Sequence, residues 1–204
     1  MTRKSKNKKK IKGFNLLEEY KQSWRYIKES KKFIYIAIGI FFFFVLFAYF
    51  IPAPQFLYDK IIVFIKELMN QTKGMSQLDL IKFIISNNIQ STFTVIASGI
   101  ILGIFSVVSV IANGYLLGFV ALLSVKTGGF LTLWKIFPHG IFEMPAVFIS
   151  FGLGIKMGMF IFQKKKLKSF IDYSINSLKV FLLIIIPLLI IAGIIEGTLM
   201  ILIR

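Results

Sequence analysis

The chain alternates long apolar runs with short polar or basic stretches, and the apolar runs have the length of membrane-crossing helices. An α-helix rises about 1.5 Å per residue, so about 20 apolar residues cross the ~30 Å hydrocarbon core of a bilayer. The pattern predicts an all-α fold, a polytopic transmembrane helix bundle of about five membrane segments. Four of these segments are the runs over residues 33–51, 89–111, 138–162 and 179–203.

A break is expected in the apolar stretch over residues 87–125, which contains no charged residue. The stretch is too long for one crossing and barely long enough for two. We place the break near Asn113 and Gly114, which leaves a third segment of about a dozen residues that spans only about 18 Å. The sequence therefore predicts a discontinuous third segment within the membrane.

Two further stretches carry apolar residues at helical spacing between charged ones. Residues 14–27 favour an amphipathic helix on the inner membrane surface, and a stiff extension of the first span explains the same pattern equally well. Residues 53–88 predict an amphipathic helix on the outer face, a turn around Gly74 and a second short helix from Gln77 to Ile85. Interfacial helices are thus expected on both sides of the bundle.

The composition agrees with a membrane protein, because 56% of the 204 residues are hydrophobic and the mean hydropathy is +0.78. A soluble domain of this length has too little interior to bury that much apolar surface. The net charge of +16 is concentrated beside the spans, with 12 of the 25 lysines and arginines in residues 1–32 and a second cluster in residues 163–179. Such basic flanks attract anionic lipid headgroups, so nucleic acid is not expected as a partner.

The two basic segments set the predicted topology. Both belong on the cytoplasmic side, which requires an even number of crossings between them. We expect a multi-pass protein of the cell membrane whose N-terminus is cytoplasmic and whose C-terminus lies outside. The chain divides into a basic cytoplasmic tail with a juxtamembrane amphipathic helix at residues 1–32 and a transmembrane bundle at residues 33–204.

Ionisable residues inside the apolar spans are the candidate site, since each costs about 2.5–3.5 kcal/mol on membrane-insertion scales. His139 and Glu143 stand four residues apart, on one helical face, and Glu196 falls in the same outer half of the membrane. We predict that these three residues form a polar or ligand-binding cluster. The alternative is that each caps a helix or bonds a neighbouring backbone, while Lys156 extends its amine to the inner surface.

The same residues give little support for metal or catalytic chemistry. The chain has no Cys, which excludes disulfides and thiolate ligands. One His and two carboxylates lack a fourth zinc ligand, no H-E-x-x-H motif is present, and no Ser-His-Asp pattern is convincing. We therefore expect no catalytic residue, no metal and no cofactor.

Small residues form the other recurrent pattern. Four glycine pairs are spaced four residues apart, as in membrane helices whose backbones approach closely. They predict a tight bundle, with a homodimer as an open alternative. The pairs are Gly99 and Gly103, Gly114 and Gly118, Gly154 and Gly158, and Gly193 and Gly197.

The run from Phe137 to Ala146, with its His-Gly-x-x-Glu-x-Pro-Ala string, resembles the hallmark of the stage II sporulation protein M family of integral membrane proteins. The likeness covers roughly residues 30–204. It implies a multi-pass bundle with no established catalytic role, and the sporulation member assists the D and P proteins of the same stage as their membrane-embedded assembly partner. By position, the resemblance points to Asn88, Asn113, His139, Glu143 and Glu196, with Gly114, Gly118 and Pro145 at expected helix breaks and packing sites.

These observations support two functions from different classes. The leading hypothesis is a non-enzymatic membrane scaffold or assembly factor that binds a membrane protein partner. The alternative is a transporter or a lipid- or ion-handling protein that uses the buried Glu143 and Glu196. A metal-dependent intramembrane hydrolase is a third and weaker interpretation, because no complete set of metal ligands is present.

Overall fold

The computed structural model describes residues 15–135 and 137–202, and the side chains of residues 134–142 and 201–202 lie outside this description. The described chain is helical, and its long helices pack side by side. Short 3₁₀ segments, Phe130–Lys135 and Met159–Phe162, lie on either side of the fifth α-helix. The α-helices are α1 (Leu16–Phe50), α2 (Gln55–Thr72), α3 (Gln77–Ser98), α4 (Ile104–Gly128), α5 (Phe137–Gly158), α6 (Lys166–Val180) and α7 (Ile186–Leu202).

Four helical stretches are long and apolar enough to cross a membrane, where the sequence predicts about five segments. The helical, multi-pass character of the chain is thereby confirmed. The four stretches are Leu16–Phe50, Ile104–Gly128, Glu143–Phe162 and Lys166–Met200.

The helix α3 is too polar to belong to that group, yet it lies along most of the length of α7. A hydrogen bond between Gln77 and Thr198 joins the two helices at one end. At the other end, the Phe93 ring of α3 contacts Phe181, in the turn of chain that leads into α7. The predicted short helix from Gln77 to Ile85 is therefore only the first part of α3, which continues to Ser98.

The first helix, α1, is continuous over 35 residues. The Asn15 side chain caps its start by accepting backbone N–H bonds from Leu17 and Glu18, at 3.1 and 3.4 Å. The helix ends at Phe50, because the chain becomes extended before Pro52. From Leu16 onward, the predicted surface helix at residues 14–27 is thus part of α1, which agrees with the stiff extension of the first span.

Contacts between helices fix their relative directions. Gly114 and Gly118 of α4 lie against Phe41 and Val45 of α1, respectively. The contacts ascend along both helices, so α1 and α4 run parallel. The helix α5 runs the opposite way, because Lys156 near its end reaches Ser30 in the first half of α1. The end of the bundle where α1 begins and α5 finishes is named the basic end, and the opposite one is named the distal end. The basic end carries Lys164, Lys165, Lys166 and Lys168, all of them exposed.

The helix break lies earlier in the chain than the sequence predicts. Asn113 and Gly114 are inside the continuous helix α4, so the break that we place there is wrong. The chain instead reverses over residues 99–103, where Leu102 and Gly103 have the left-handed φ values of 56° and 69°. A left-handed residue ends a right-handed helix, and glycine adopts that conformation without a steric penalty.

The predicted loop at residues 163–179 is mostly helical, since α6 occupies Lys166–Val180. A π-helical turn at Phe181–Ile185 joins α6 to α7 without interruption. Pro187 explains this turn, because proline cannot donate a backbone hydrogen bond and its ring clashes with the carbonyl four residues earlier. A wider turn before the proline relieves both constraints.

The central helix of the bundle is α5, which packs against α1, α3, α4 and α7. In its apolar stretch 56% of the residues are buried, compared with 17% in α1 and 28% in α4. It begins at Phe137, with Pro138 in the first turn, as the sequence predicts. The string that carries the family resemblance therefore opens the helix with the most neighbours.

Candidate functional site

The glycine pairs of the sequence pack helices of the same chain against one another. A side chain added at Gly99 would meet the backbone of Gly154, and one added at Gly158 would meet Leu102 and Gly103. The other pairs seal α4 against α1 and α7 against α3 in the same manner. The predicted tight bundle is confirmed, and its glycine contacts lie within one chain rather than on a face open to a second copy.

Lys156 is the buried charge at the basic end of α5. It is only 7% exposed, and its Nζ donates a hydrogen bond to Ser30 Oγ at 2.9 Å. The Ser30 hydroxyl in turn donates to the backbone carbonyl of Tyr26 at 2.6 Å. The same Nζ lies 3.6 Å from the centroid of the Tyr26 ring and 5.5 Å from that of Tyr173. Side chains of α1 and α6 thus enclose the ammonium group of α5, and we term this arrangement the lysine cage.

The lysine cage surrounds its ammonium group with a hydroxyl and two aromatic rings. No ion pair of Lys156 is found in the described part of the chain. Aromatic faces attract an ammonium group, and a desolvated contact of this kind contributes about 2 kcal/mol. The Lys156 amine is directed toward the basic end, where side chains enclose it, so the alternative in which it extends to the membrane surface stays a prediction. The sequence gives no hint of the cage, since its hydrogen-bonded residues are 126 positions apart.

The surface around the lysine cage is strongly basic. An ion pair joins α6 to α1, with 2.5 Å between Lys179 Nζ and Glu19 Oε2. Both side chains are partly exposed, which limits the contribution of the pair to stability. Together with the exposed lysines before and at the start of α6, this end of the bundle presents a positive surface.

The two glutamates of the predicted cluster lie toward the distal end, on the neighbouring helices α5 and α7. Glu196 is 7% exposed, whereas Glu143 is half-buried, and each takes part in a polar or electrostatic contact. The side chain of His139 lies outside the described residues, so the three-residue cluster stays a prediction. Among the side chains that are described, no group of three or more His, Asp and Glu residues could hold a metal ion.

The helix α3 exposes a polar face on the outside of the bundle, and sequence reasoning missed it. The amides of Asn87 and Gln90 have no hydrogen-bond partner within the described residues, whereas the Thr94 hydroxyl donates to the Gln90 carbonyl at 2.8 Å. The spacing of these residues along one helix could have indicated the face. The assignment of residues 53–88 to an external segment divided the helix and hid this spacing. The polar face of α3 comprises Ser86, Asn87, Gln90, Ser91 and Thr94, all exposed.

An open groove of about 520 Å³ runs along α3 beside the polar face, and its remaining wall is Phe181 of the π-helical turn before α7. Lys82 stands nearest the distal end of the groove, while Phe93 and Phe181 close its other end. The groove lies on the outside of the bundle, and neither Glu143 nor Glu196 lines it. Its remaining lining residues are Ile85, Ser86, Ile89 and Gln90.

The other positions singled out by the resemblance lie within continuous helices. Asn88 is partly buried in α3, and its carbonyl accepts a hydrogen bond from the Thr92 hydroxyl at 2.6 Å. Asn113 is exposed in α4, where its side-chain amide donates to the Ser109 carbonyl at 2.8 Å. Pro145 is exposed inside α5, and the helix continues through it. These positions therefore do not interrupt their helices.

The family model described as stage II sporulation protein M matches residues 36–199. The chain belongs to the stage II sporulation protein M family. No curated protein and no solved structure matches it. In this member of the stage II sporulation protein M family, the matched range contains the polar face of α3, both glutamates and Lys156, whereas Tyr26 and Ser30 of the lysine cage precede it.

Proposed function

We propose that the protein is a non-enzymatic membrane scaffold that holds partner proteins together within the bilayer. Its family and its multi-pass helical architecture are consistent with such a role. The observation that carries the proposal is the polar face of α3, which points away from the bundle on a helix that lies along a candidate span.

The polar face needs a protein partner because hydrocarbon offers no hydrogen bonds. An amide without a partner costs about 4–8 kcal/mol on transfer from water to cyclohexane. The side chains of Asn87 and Gln90 present two such amides. A second transmembrane helix with polar residues supplies the donors and acceptors that lipid lacks.

In the rest of the bundle, close contacts connect the helices rigidly to one another. Backbone contacts at glycines lock α5 against the reversal at residues 99–103. The lysine cage ties α1, α5 and α6 together at the basic end. A frame fixed in this way keeps the outward face of α3 in a constant position for partners to bind.

The basic end faces the cytoplasm in this proposal. Exposed lysines and the basic residues 1–32 then lie beside anionic lipid headgroups, each contributing about 1 kcal/mol of attraction near the surface. The helices α1, α3, α4, α5 and α7 cross the membrane in alternation, and the C-terminus lies outside. The predicted cluster of His139, Glu143 and Glu196 then occupies the outer half of the bilayer.

Site-specific photocrosslinking in intact cell membranes tests the scaffold role. A photoreactive amino acid replaces Asn87 in one variant and Ile191 in the matched control. Ile191 is an exposed apolar residue of α7. It lies at the same depth as Asn87, because α7 is antiparallel to α3 and Gly193 packs against Ile85.

The scaffold proposal predicts adducts between position 87 and a membrane polypeptide, with lipid adducts dominant at position 191. Mass spectrometry of the adducts identifies the partner. Lipid adducts alone at both positions would refute the proposal, because the polar face would then lie against lipid with no protein to cover it.

A lipid- or ion-handling protein is the second candidate function. The groove beside α3 favours it, since Lys82 stands at the distal mouth of an otherwise largely apolar wall. In this alternative, the buried Glu196 and the half-buried Glu143 take part in transport. Ion or lipid flux into proteoliposomes that is lost in the Glu143→Gln variant would support the alternative. If the unmodified protein shows no such flux, the alternative is removed.

A further inference from the structure

We propose that the polar face of α3 pairs with the same face of a second copy of this chain, forming a two-fold dimer whose axis is normal to the membrane. This inference rests on the proposed function, because it names the helix that covers α3. Both copies insert in the same orientation, so their α3 helices run parallel and identical residues meet across the axis.

The spacing of the outward residues of α3 fits a parallel helix pair. Phe83, Asn87, Gln90 and Thr94 follow one another at intervals of four, three and four residues. Alternating steps of three and four residues define the seam of two helices that cross at about 20°. The last three residues of this row are exposed and Phe83 is half-buried, so the row lies on the outside of the bundle.

The chemistry of the seam favours an identical partner. A side-chain amide carries both hydrogen-bond donors and an acceptor, so Asn87 can pair with Asn87 and Gln90 with Gln90. A carboxylate accepts only and an ammonium group donates only, so either would leave half of the amide without a partner. One asparagine in such a seam is also sufficient to fix the register of two parallel helices.

Small residues allow the two helices to approach. Ser86 and Ser91 flank the amides on either side of the seam, and both are exposed. Small side chains at these positions let membrane helices come close enough to hydrogen-bond. The glycine pairs do not offer a competing dimer face, because each of them already packs against another helix of the same chain.

Disulfide formation between single-cysteine variants tests the dimer directly. The chain has no Cys, so each variant carries one thiol and any disulfide joins two copies. Asn87→Cys and Gln90→Cys are oxidised in native membranes beside the control Ile191→Cys, which has the same depth on α7. We expect covalent dimers at positions 87 and 90 and background levels at 191. Equal background levels at all three positions would overturn the inference.

A second measurement keeps the test independent of the introduced thiols. The double variant Asn87→Leu/Gln90→Leu should raise the dissociation constant of the dimer in lipid about tenfold relative to the unmodified protein. Single-molecule photobleaching of labelled protein in vesicles of varied lipid-to-protein ratio gives this constant. An unmodified protein that is monomeric at every ratio also overturns the inference.

The dimer and the scaffold role fail in different ways. Photoadducts from position 87 to a different polypeptide, without disulfides between copies, refute the dimer and leave the scaffold role intact. Lipid adducts alone at position 87 refute both.

Discussion

The helices α3 and α5 both carry polar side chains along the bundle, yet these side chains lie in opposite surroundings. On α5, Lys156 is enclosed by the Tyr26 ring and the Ser30 hydroxyl. On α3, the amides of Asn87 and Gln90 point outward and have no partner in the described part of the chain. The chain satisfies its buried charge internally and leaves weaker polar groups on the outside. In the scaffold that we propose, the outward polar groups are the face that a partner covers.

The same two helices differ in how close their neighbours come. Glycines bring other backbones into direct contact with α5, so a single methyl group would collide there. The polar face of α3, by contrast, consists of exposed residues. Substitutions on α5 should consequently change folding stability, whereas substitutions on the outward face of α3 should change association.

The largest effect is expected at the glycine contacts of α5. Gly158→Ala places a methyl group against the backbone of Leu102 and Gly103, which cannot move without disturbing the chain reversal. We expect the free energy of unfolding to fall by about 1–3 kcal/mol, as overpacking typically costs. Unfolding in mixed detergent micelles measures the change.

Gly39→Ala is the matched control, since an added side chain at Gly39 in α1 meets nothing within 4 Å. Alanine favours helix over glycine by about 1 kcal/mol, so this control should keep or slightly raise stability. An equal loss in both variants would show that α5 is no more tightly enclosed than the open side of α1.

The next effect is the coupling inside the lysine cage. A double-mutant cycle with Tyr26→Leu and Lys156→Met should give a coupling energy of about 1–2 kcal/mol, because the desolvated ammonium group loses the ring it faces. Tyr35→Leu serves as the control on the same helix, where the ring is 68% exposed. If the coupling between Tyr26 and Lys156 is no larger than that between Tyr35 and Lys156, the Tyr26 ring does not stabilise the charge.

A smaller effect is expected for the ion pair at the basic end. Lys179→Ala should lower the free energy of unfolding by about 0.2–1 kcal/mol, because the pair with Glu19 is partly exposed. The difference should disappear at high salt, where charges are screened. Lys168→Ala on the same helix is the control, and a salt-independent loss at Lys179 would argue for a packing role of its stem.

The smallest change in stability is expected on the polar face of α3. Asn87→Leu/Gln90→Leu should leave the free energy of unfolding of the monomer within about 0.5 kcal/mol, as for other exposed positions. The same variant should nevertheless lose the adducts from a photoreactive residue at position 94. A large loss of monomer stability would mean that these amides belong to the core after all.

Long apolar runs and their basic or proline boundaries are local signals, and they were sufficient to predict the first span and the last two. The predicted run over residues 89–111 instead crosses the reversal between α3 and α4. The start of α5 beside Pro138 is an example, whereas the sequence left open whether the juxtamembrane part continues the first span. Glycine spacing also predicted close helix packing, since it reports directly how near two backbones can come.

The reversal between α3 and α4 could not be located from the sequence. Asn113 and Gly114 have the composition of a turn, but Gly114 instead admits the backbone of α1 at Phe41. The reversal uses a left-handed Leu102, which no local preference predicts. Contacts with α1 at Gly114 and with α5 at Gly103, both distant in the chain, accompany the different roles of these glycines.

The two sites were hidden for related reasons. The lysine cage assembles residues from three helices, and the pattern of a single helix cannot reveal which rings will meet Lys156. The polar face of α3 lowers the hydropathy of its helix, so a search for apolar runs divides α3 between an external segment and a span. Polar side chains that hydrogen-bond between membrane helices lower the hydropathy of those helices. A hydropathy pattern therefore locates such helices poorly.

Collision accessibility of a spin label on α3 tests the central claim most directly. The label is attached to Asn87→Cys in native-like membranes, with Ile191→Cys as the lipid-exposed reference at equal depth. Oxygen concentrates in lipid and a nickel chelate in water, so a protein-covered label is shielded from both. We predict low accessibility to both reagents at position 87 and high oxygen accessibility at 191. High oxygen accessibility at position 87 would show that lipid covers the polar face and would contradict the account.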